Sequence, residues 1–178
     1  MQPVPQPTAD ETRANASFAA LLSALSRPGQ IQTLPTSGEA GVIEALLDRE
    51  CRVACADPRL LPQVMQTGAL IAEIPQADHV FLGQMTTAAP LNDICIGSDL
   101  YPDAGATVVV NATFDNGVRL GLTGPGIDGE TTVQIAGLPA DFWQLRKQRI
   151  RYPMGFDLFL LDGARVMGLP RSTTLEVL

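Results

Sequence analysis

Histidine is almost absent: His79 is the only one. A Ser-His-Asp site would have to use it, and it sits beside a strand-like run where a histidine is ordinarily core or surface. Cysteine is scarce and odd in number, at Cys51, Cys55 and Cys95. No Cys-x-x-Cys occurs, so a disulfide framework is not expected, and a reducing compartment is. Their spacing with His79 matches no standard zinc pattern, so no metal site is expected. Lysine is scarcer still, with Lys147 alone. A Schiff-base enzyme would depend on that one residue. It falls on the charged face of an expected helix, a poor place for a desolvated amine. Basic residues are few as a class: 12 Lys and Arg stand against 19 Asp and Glu, a net charge of -7. An acidic surface repels phosphate backbones and anionic lipid heads, which argues against nucleic acid and membrane partners. No apolar run approaches the ~20 residues that span a bilayer. The opening residues, Met1 to Asp10, have neither the basic region nor the apolar stretch of a signal peptide, so a cytoplasmic protein is expected.

What remains is globular. Hydrophobic residues make up 46% of the 178, and charged ones 17%. This suits one compact domain with a single substantial core. Residues 1–8, rich in proline and glutamine, read as an extended arm, and 9–178 as one α/β domain. Asp10 to Ser26 has the spacing of an amphipathic helix, with Thr8 or Asp10 available as its cap. Arg27-Pro28-Gly29 stops it. Ile31–Leu34, Arg52–Ala56 and His79–Leu82 read as strands. Gly41–Asp48, Pro58–Thr67 and Thr87–Ile94 read as short helices.

Ala106–Ala112 and Val118–Leu122 flank Asp115-Asn116-Gly117, the residues of a tight turn, and predict a hairpin. Thr131–Ile135 predicts a further strand. Pro139–Arg151 predicts a helix with Phe142 and Leu145 inward, and Arg146, Lys147, Arg149 and Arg151 on a charged face. The helix dipole favours cations at that end, and a functional basic patch is the alternative. Phe156–Leu161 and Ala164–Leu169 predict a second hairpin about Asp162-Gly163, and Leu175–Val177 a last strand. Alternating elements followed by hairpins give a mixed β-sheet flanked by helices.

Two segments have the chemistry of an anion site. In Thr123-Gly124-Pro125-Gly126-Ile127, Gly124 and Gly126 let successive N–H groups face an anion, or simply make a tight turn. In Leu169-Pro170-Arg171-Ser172-Thr173-Thr174, Arg171 and the hydroxyls, Thr173 among them, suit a phosphate or carboxylate. Alternatively Arg171 pairs with a carboxylate on its own chain. Asp157 stands at the mouth of an apolar strand and needs a partner, with Arg171 and Arg151 both in reach.

Three stretches taken together resemble the PhnH family, the H subunit of the bacterial carbon–phosphorus lyase system. They are Ser17-Phe18 through Arg27-Pro28-Gly29, Tyr101-Pro102 and Ala104-Gly105-Ala106-Thr107 through the Gly124–Gly126 loop, and Tyr152-Pro153-Met154-Gly155-Phe156-Asp157-Leu158 through Glu176-Val177. The resemblance implies an α/β sandwich similar to the pyridoxal-phosphate-dependent transferases but without the cofactor, and a homodimer. It implies partnership with the G, I and J subunits of a core complex for phosphonate catabolism. There an alkylphosphonate displaces adenine from ATP, giving a ribose 1-alkylphosphonate 5-triphosphate, and subunit J later cleaves the carbon–phosphorus bond.

On this reading the chain supports a transferase/lyase complex and has no catalytic residue of its own. Its expected ligand contacts, to a nucleotide or phosphonate, are Arg171, Thr173, Asp157, Arg27, Gly124 and Gly126. Where the family often carries arginine after Ser17-Phe18, this chain has Ala19-Ala20. The alternatives are a structural or regulatory interaction module with no ligand, and a stand-alone transferase built on Lys147.

Overall fold

A computed structural model describes residues 6–178. Of the expected arm, residues 1–5 lie outside the described residues; Gln6 and Pro7 are exposed, and Thr8 belongs to the first helix as its cap. Helix α1 (Ala9–Ser26) opens on a capping box. The Glu11 N–H donates to the Thr8 hydroxyl at 3.2 Å, and the Thr8 N–H donates to the Glu11 carboxylate at 2.7 Å. Two of the helix's unpaired N-terminal donors are satisfied in this way.

The chain continues through β1 (Ile31–Thr33), α2 (Glu39–Leu46), β2 (Arg52–Cys55), α3 (Leu61–Thr67), β3 (Leu70–Ile71) and β4 (His79–Gly83). Then come β5 (Thr107–Asn111), β6 (Thr113–Thr123), β7 (Glu130–Ala136), α4 (Phe142–Arg149), β8 (Asp157–Asp162), β9 (Arg165–Leu169) and β10 (Thr174–Val177). Seven strands form one mixed sheet in the order β1-β9-β8-β5-β4-β2-β3. Pairing is parallel from β3 to β8 and antiparallel where β9 meets β8 and β1. The expected mixed sheet with helices is therefore present.

The central strands are apolar on both sides, and strand alternation sends successive side chains to two cores. Phe81, Val109, Phe159 and Leu161 join Leu21 of α1, Val42 and Ile43 of α2 and Val64 of α3. Val80, Val108, Val110, Leu158 and Leu160 face the other way, onto Phe142 and Trp143 of α4 and Leu120, Leu122 and Ile135 of a second sheet. That second sheet has three strands in the order β10-β6-β7. Among the described residues no helix is long and apolar enough to cross a membrane.

The hairpin expected around Asn116-Gly117 does not form. β5 lies between β4 and β8 in the large sheet, whereas β6 begins two residues later in the small one. Asp115 to Gly117 lie inside β6 as a bulge, and both Phe114 and Val118 register with Ile135 of β7. Asp115 has φ 64° and Gly117 φ 85°. A tight turn and a bulge both call for positive φ, so the same three residues serve either. The neighbouring run decides: Val108, Val109 and Val110 are all fully buried, which suits a central parallel strand and not a half-exposed hairpin arm.

Helix α4 is shorter than the expected Pro139–Arg151. Its last turn gives way to a bridge between Arg151 and Met154. The second hairpin, β8 to β9 about Gly163, forms as expected.

Candidate functional site

Arg171 follows β9, and its guanidinium closes on Asp157, the first residue of β8. Nη2 donates to Asp157 Oδ2 at 2.8 Å and Nε to Oδ1 at 3.3 Å, while the Arg171 backbone N–H donates to Oδ1 at 2.8 Å. Nη2 also donates to the Gly105 carbonyl at 3.2 Å and Nη1 to the Pro102 carbonyl. The Arg171 and Asp157 side chains are 15% and 23% exposed. Of the two arginines in reach of Asp157, the one that pairs is Arg171; Arg151 is exposed.

Two glycines make room for this clamp. A Cβ on Gly105 would overlap the Gly155 carbonyl oxygen and lie 2.7 Å from Arg171 Nη1. A Cβ on Gly155 would lie 3.1 Å from the Arg171 Cβ.

The two other expected elements adjoin the residues that follow Arg171. A Cβ on Gly124 would lie 2.8 Å from the Ser172 carbonyl, and one on Gly126 would overlap that of Ser26. The Gly124–Gly126 loop is a turn, closed by the Ile127 N–H donating to the Gly124 carbonyl at 3.1 Å. It is wedged between the end of α1 and the Ser172 backbone. Arg27, beside it, is exposed. The segments that looked separate in sequence thus meet around residues 171–173.

A cleft of about 340 Å³ opens between the last turn of α4, Tyr152 and residues 171–175. It is lined by the cationic residues Arg146, Lys147 and Arg171 and the hydroxyl-bearing residues Tyr152, Ser172, Thr173 and Thr174, of which Arg146 and Thr173 are buried behind its surface. Ile150 and Leu175 complete the wall, and no carboxylate belongs to it. Of the expected contacts, Arg171 and Thr173 line this cleft; Asp157, Arg27, Gly124 and Gly126 do not. A larger hollow of about 690 Å³ lies between α1, α2 and α3. There Arg13 is already neutralised by Glu44 at 2.6 Å and Asp10 at 3.0 Å, so the hollow has little pull on an anion.

Arg146 was expected on the charged outer face of the helix, and the structure reverses this: it is 1% exposed. Its Nη2 donates to the carbonyls of Pro170 at 3.0 Å and Leu169 at 3.3 Å, and Nη1 reaches that of Thr173 at 3.5 Å. Burial pushes its pKa down to about 10, against a small opposing pull from Asp157. Arg146 stands four residues after Phe142, a core residue, and therefore shares its helix face. That spacing was the available signal, outweighed by four cations in a short stretch.

The remaining nucleophiles and ligand types are dispersed. All three cysteines are free and half-buried. Burial pushes the Cys55 thiol up to about 11, with Asp57 and Glu39 adding to the effect, so it stays protonated at neutral pH. Among the described residues no three His, Cys, Asp or Glu side chains gather as a metal site.

His79, at the start of β4, has its pKa lowered by burial, against Asp78 and Asp48. A histidine whose folded pKa is depressed gives stability that is full above its ordinary value near ~6.5 and is lost as pH falls below it. Urea unfolding at pH 7.5 and 5.5 is expected to show a smaller loss for His79→Gln than for the parent chain. Equal losses would remove His79 from the account.

The sequence matches the family model described as bacterial phosphonate metabolism protein (PhnH) over residues 7–176. It is 32% identical over 175 residues to HtxG of Stutzerimonas stutzeri, a candidate C-P lyase subunit, covering 93% of this chain and 87% of that protein. It is 29% identical over 182 residues to the alpha-D-ribose 1-methylphosphonate 5-triphosphate synthase subunit PhnH of Rhizobium meliloti (strain 1021), covering 92% and 90%. A match that runs almost end to end takes in the clamp, the cleft and both sheets, and the chain belongs to the PhnH family of bacterial phosphonate metabolism proteins.

Proposed function

We propose that this chain is the H-type subunit of a carbon–phosphorus lyase system in organic phosphonate catabolism. It supports formation of alpha-D-ribose 1-methylphosphonate 5-triphosphate from ATP and methylphosphonate without carrying the chemistry itself. The observation that carries the reading is the family match over residues 7–176, which leaves no sizeable part of the chain outside it. Its partners on this reading are the G, I and J subunits of a cytoplasmic transferase/lyase assembly, which it enters as a homodimer.

The supporting role fits the cleft, whose walls offer cations and hydroxyls but neither a carboxylate nor a histidine to act as a general base near neutral pH. On this reading residues 9–178 form one domain, built like the pyridoxal-phosphate-dependent transferases and without their cofactor. Lys147, the lone lysine, stands exposed on α4 and lacks the enclosure that activates an imine-forming amine. Arg171 and Thr173 meet the ligand in this reading. Asp157 acts by holding Arg171, and Arg27 with the Gly124–Gly126 turn flanks the same surface.

Co-expression with the G, I and J subunits tests this. The chain is expected to co-purify with them, and its omission to abolish adenine release from ATP and methylphosphonate. A chain that stays apart while turnover is unchanged would overturn the subunit role. Adenine release by the isolated chain would overturn the supporting one.

A further inference from the structure

Arg146 is a buried cation, and among the described residues no carboxylate bonds to it. Its guanidinium donates to carbonyls only, and its Nε, buried, has no partner. Burying an ionised group without a counter-charge is costly, and proteins ordinarily pair such groups. Thr173, 2% exposed, stands beside it with a buried hydroxyl that is likewise unpartnered. Both orphaned groups can donate a hydrogen bond, and both residues line the same cleft. Lys147 at its mouth adds a second positive charge in a chain whose net charge is -7, while Arg171 on its wall is already paired with Asp157.

We propose that this cleft binds a phosphorus oxyanion, with Arg146 and Thr173 as its inner donors and Lys147 as the cation at its entrance. A tetrahedral oxyanion accepts hydrogen bonds in several directions at once and supplies the negative charge that Arg146 lacks. Arg171, its guanidinium bonded to Asp157 and to the Gly105 and Pro102 carbonyls, forms part of the side wall. The oxyanion class follows from the cleft itself, while the choice between a phosphonate and a phosphate chain rests on the proposed subunit role. About 340 Å³ of space accommodates either one.

The test is isothermal titration of the isolated chain with methylphosphonate and, separately, with inorganic triphosphate. At least one is expected to saturate at one per chain. Lys147→Ala and Thr173→Val are each expected to weaken that binding on the order of tenfold, as for loss of a charge-assisted bond. Lys147→Arg is expected to retain it. Lys147 is exposed, so its variants fold, and thermal unfolding of each protein checks this. Saturation by methylphosphonate alone assigns the site to the phosphonate, and by triphosphate alone to a nucleotide's phosphate chain. Binding of neither, or binding unchanged in both weakening variants, overturns the proposal. Failure here leaves co-purification with the partner subunits unaffected, so the two readings fall separately.

Discussion

Asp157→Ala is expected to lower the midpoint of thermal unfolding by roughly 6–12 °C. The carboxylate accepts from the Arg171 backbone N–H, its Nε and its Nη2. Removing it strands a guanidinium that is only 15% exposed, with carbonyls as its remaining partners. Breaking one side of a buried ion pair costs about 3–5 kcal/mol, and partial exposure places this pair near the lower end. For a chain of this length each kcal/mol moves the midpoint by roughly 2–4 °C.

The companion variant, Arg171→Met in the Asp157→Leu background, should recover part of the loss, because two apolar groups leave no unpaired charge. A midpoint within about 2 °C of the parent chain for Asp157→Ala would mean that the clamp holds nothing together. Assembly with the G, I and J subunits measured on the same variants separates two roles for Arg171. A residue that only fixes the loop loses stability and assembly together, and one that also meets a ligand loses titratable binding beyond what the fold accounts for.

Gly105→Ala is expected to cost at least about 3 kcal/mol, the upper end for overpacked sites. Gly105 has φ -66°, a conformation open to any residue, so the cost is not conformational. It is steric. The new methyl would overlap the Gly155 carbonyl and press on Arg171 Nη1, and neither can yield. One is backbone, and the other is held by Asp157 and Pro102. Gly38→Ala makes the control, with φ 75° and nothing within 4 Å of the added carbon. Its cost is conformational alone: φ 75° with ψ -163° is extended backbone of the kind essentially only glycine adopts, a cost of about 1–3 kcal/mol. Urea denaturation of the two variants compares them directly, and a Gly105→Ala loss no greater than that of Gly38→Ala would contradict the close-approach argument.

Much of the element order was legible because local rules governed it. The helix cap, narrowed to Thr8 or Asp10 and taken by Thr8, the Arg27-Pro28-Gly29 stop, and the β8–β9 hairpin about Gly163 depend on residues within a few positions of one another. Legibility failed where two structures make the same local demand. Asp115-Asn116-Gly117 suits a turn as well as a bulge, and only the partner strand, β7, tells them apart. The site divided in the same way. Arg171 and Thr173 were visible as an arginine beside hydroxyls, and the candidate partners of Asp157 could be named but not chosen between. Arg146 was placed on the wrong face, because a run of cations on a short helix has the pattern of a solvated surface.

The sequence by itself determined the α/β class, the strands and helices that local periodicity specifies, and, through motifs spread from Ser17 to Val177, the family. Tertiary structure decided which strands share a sheet, that Asp157 takes Arg171 and not Arg151, and that Arg146 turns inward beneath residues 169–173. The reason is physical. Periodicity and capping are read within about two turns of chain, whereas a buried charge settles wherever distant backbone carbonyls and the surrounding apolar packing let it be satisfied. That location is fixed only when β9, α4 and the second sheet have come together.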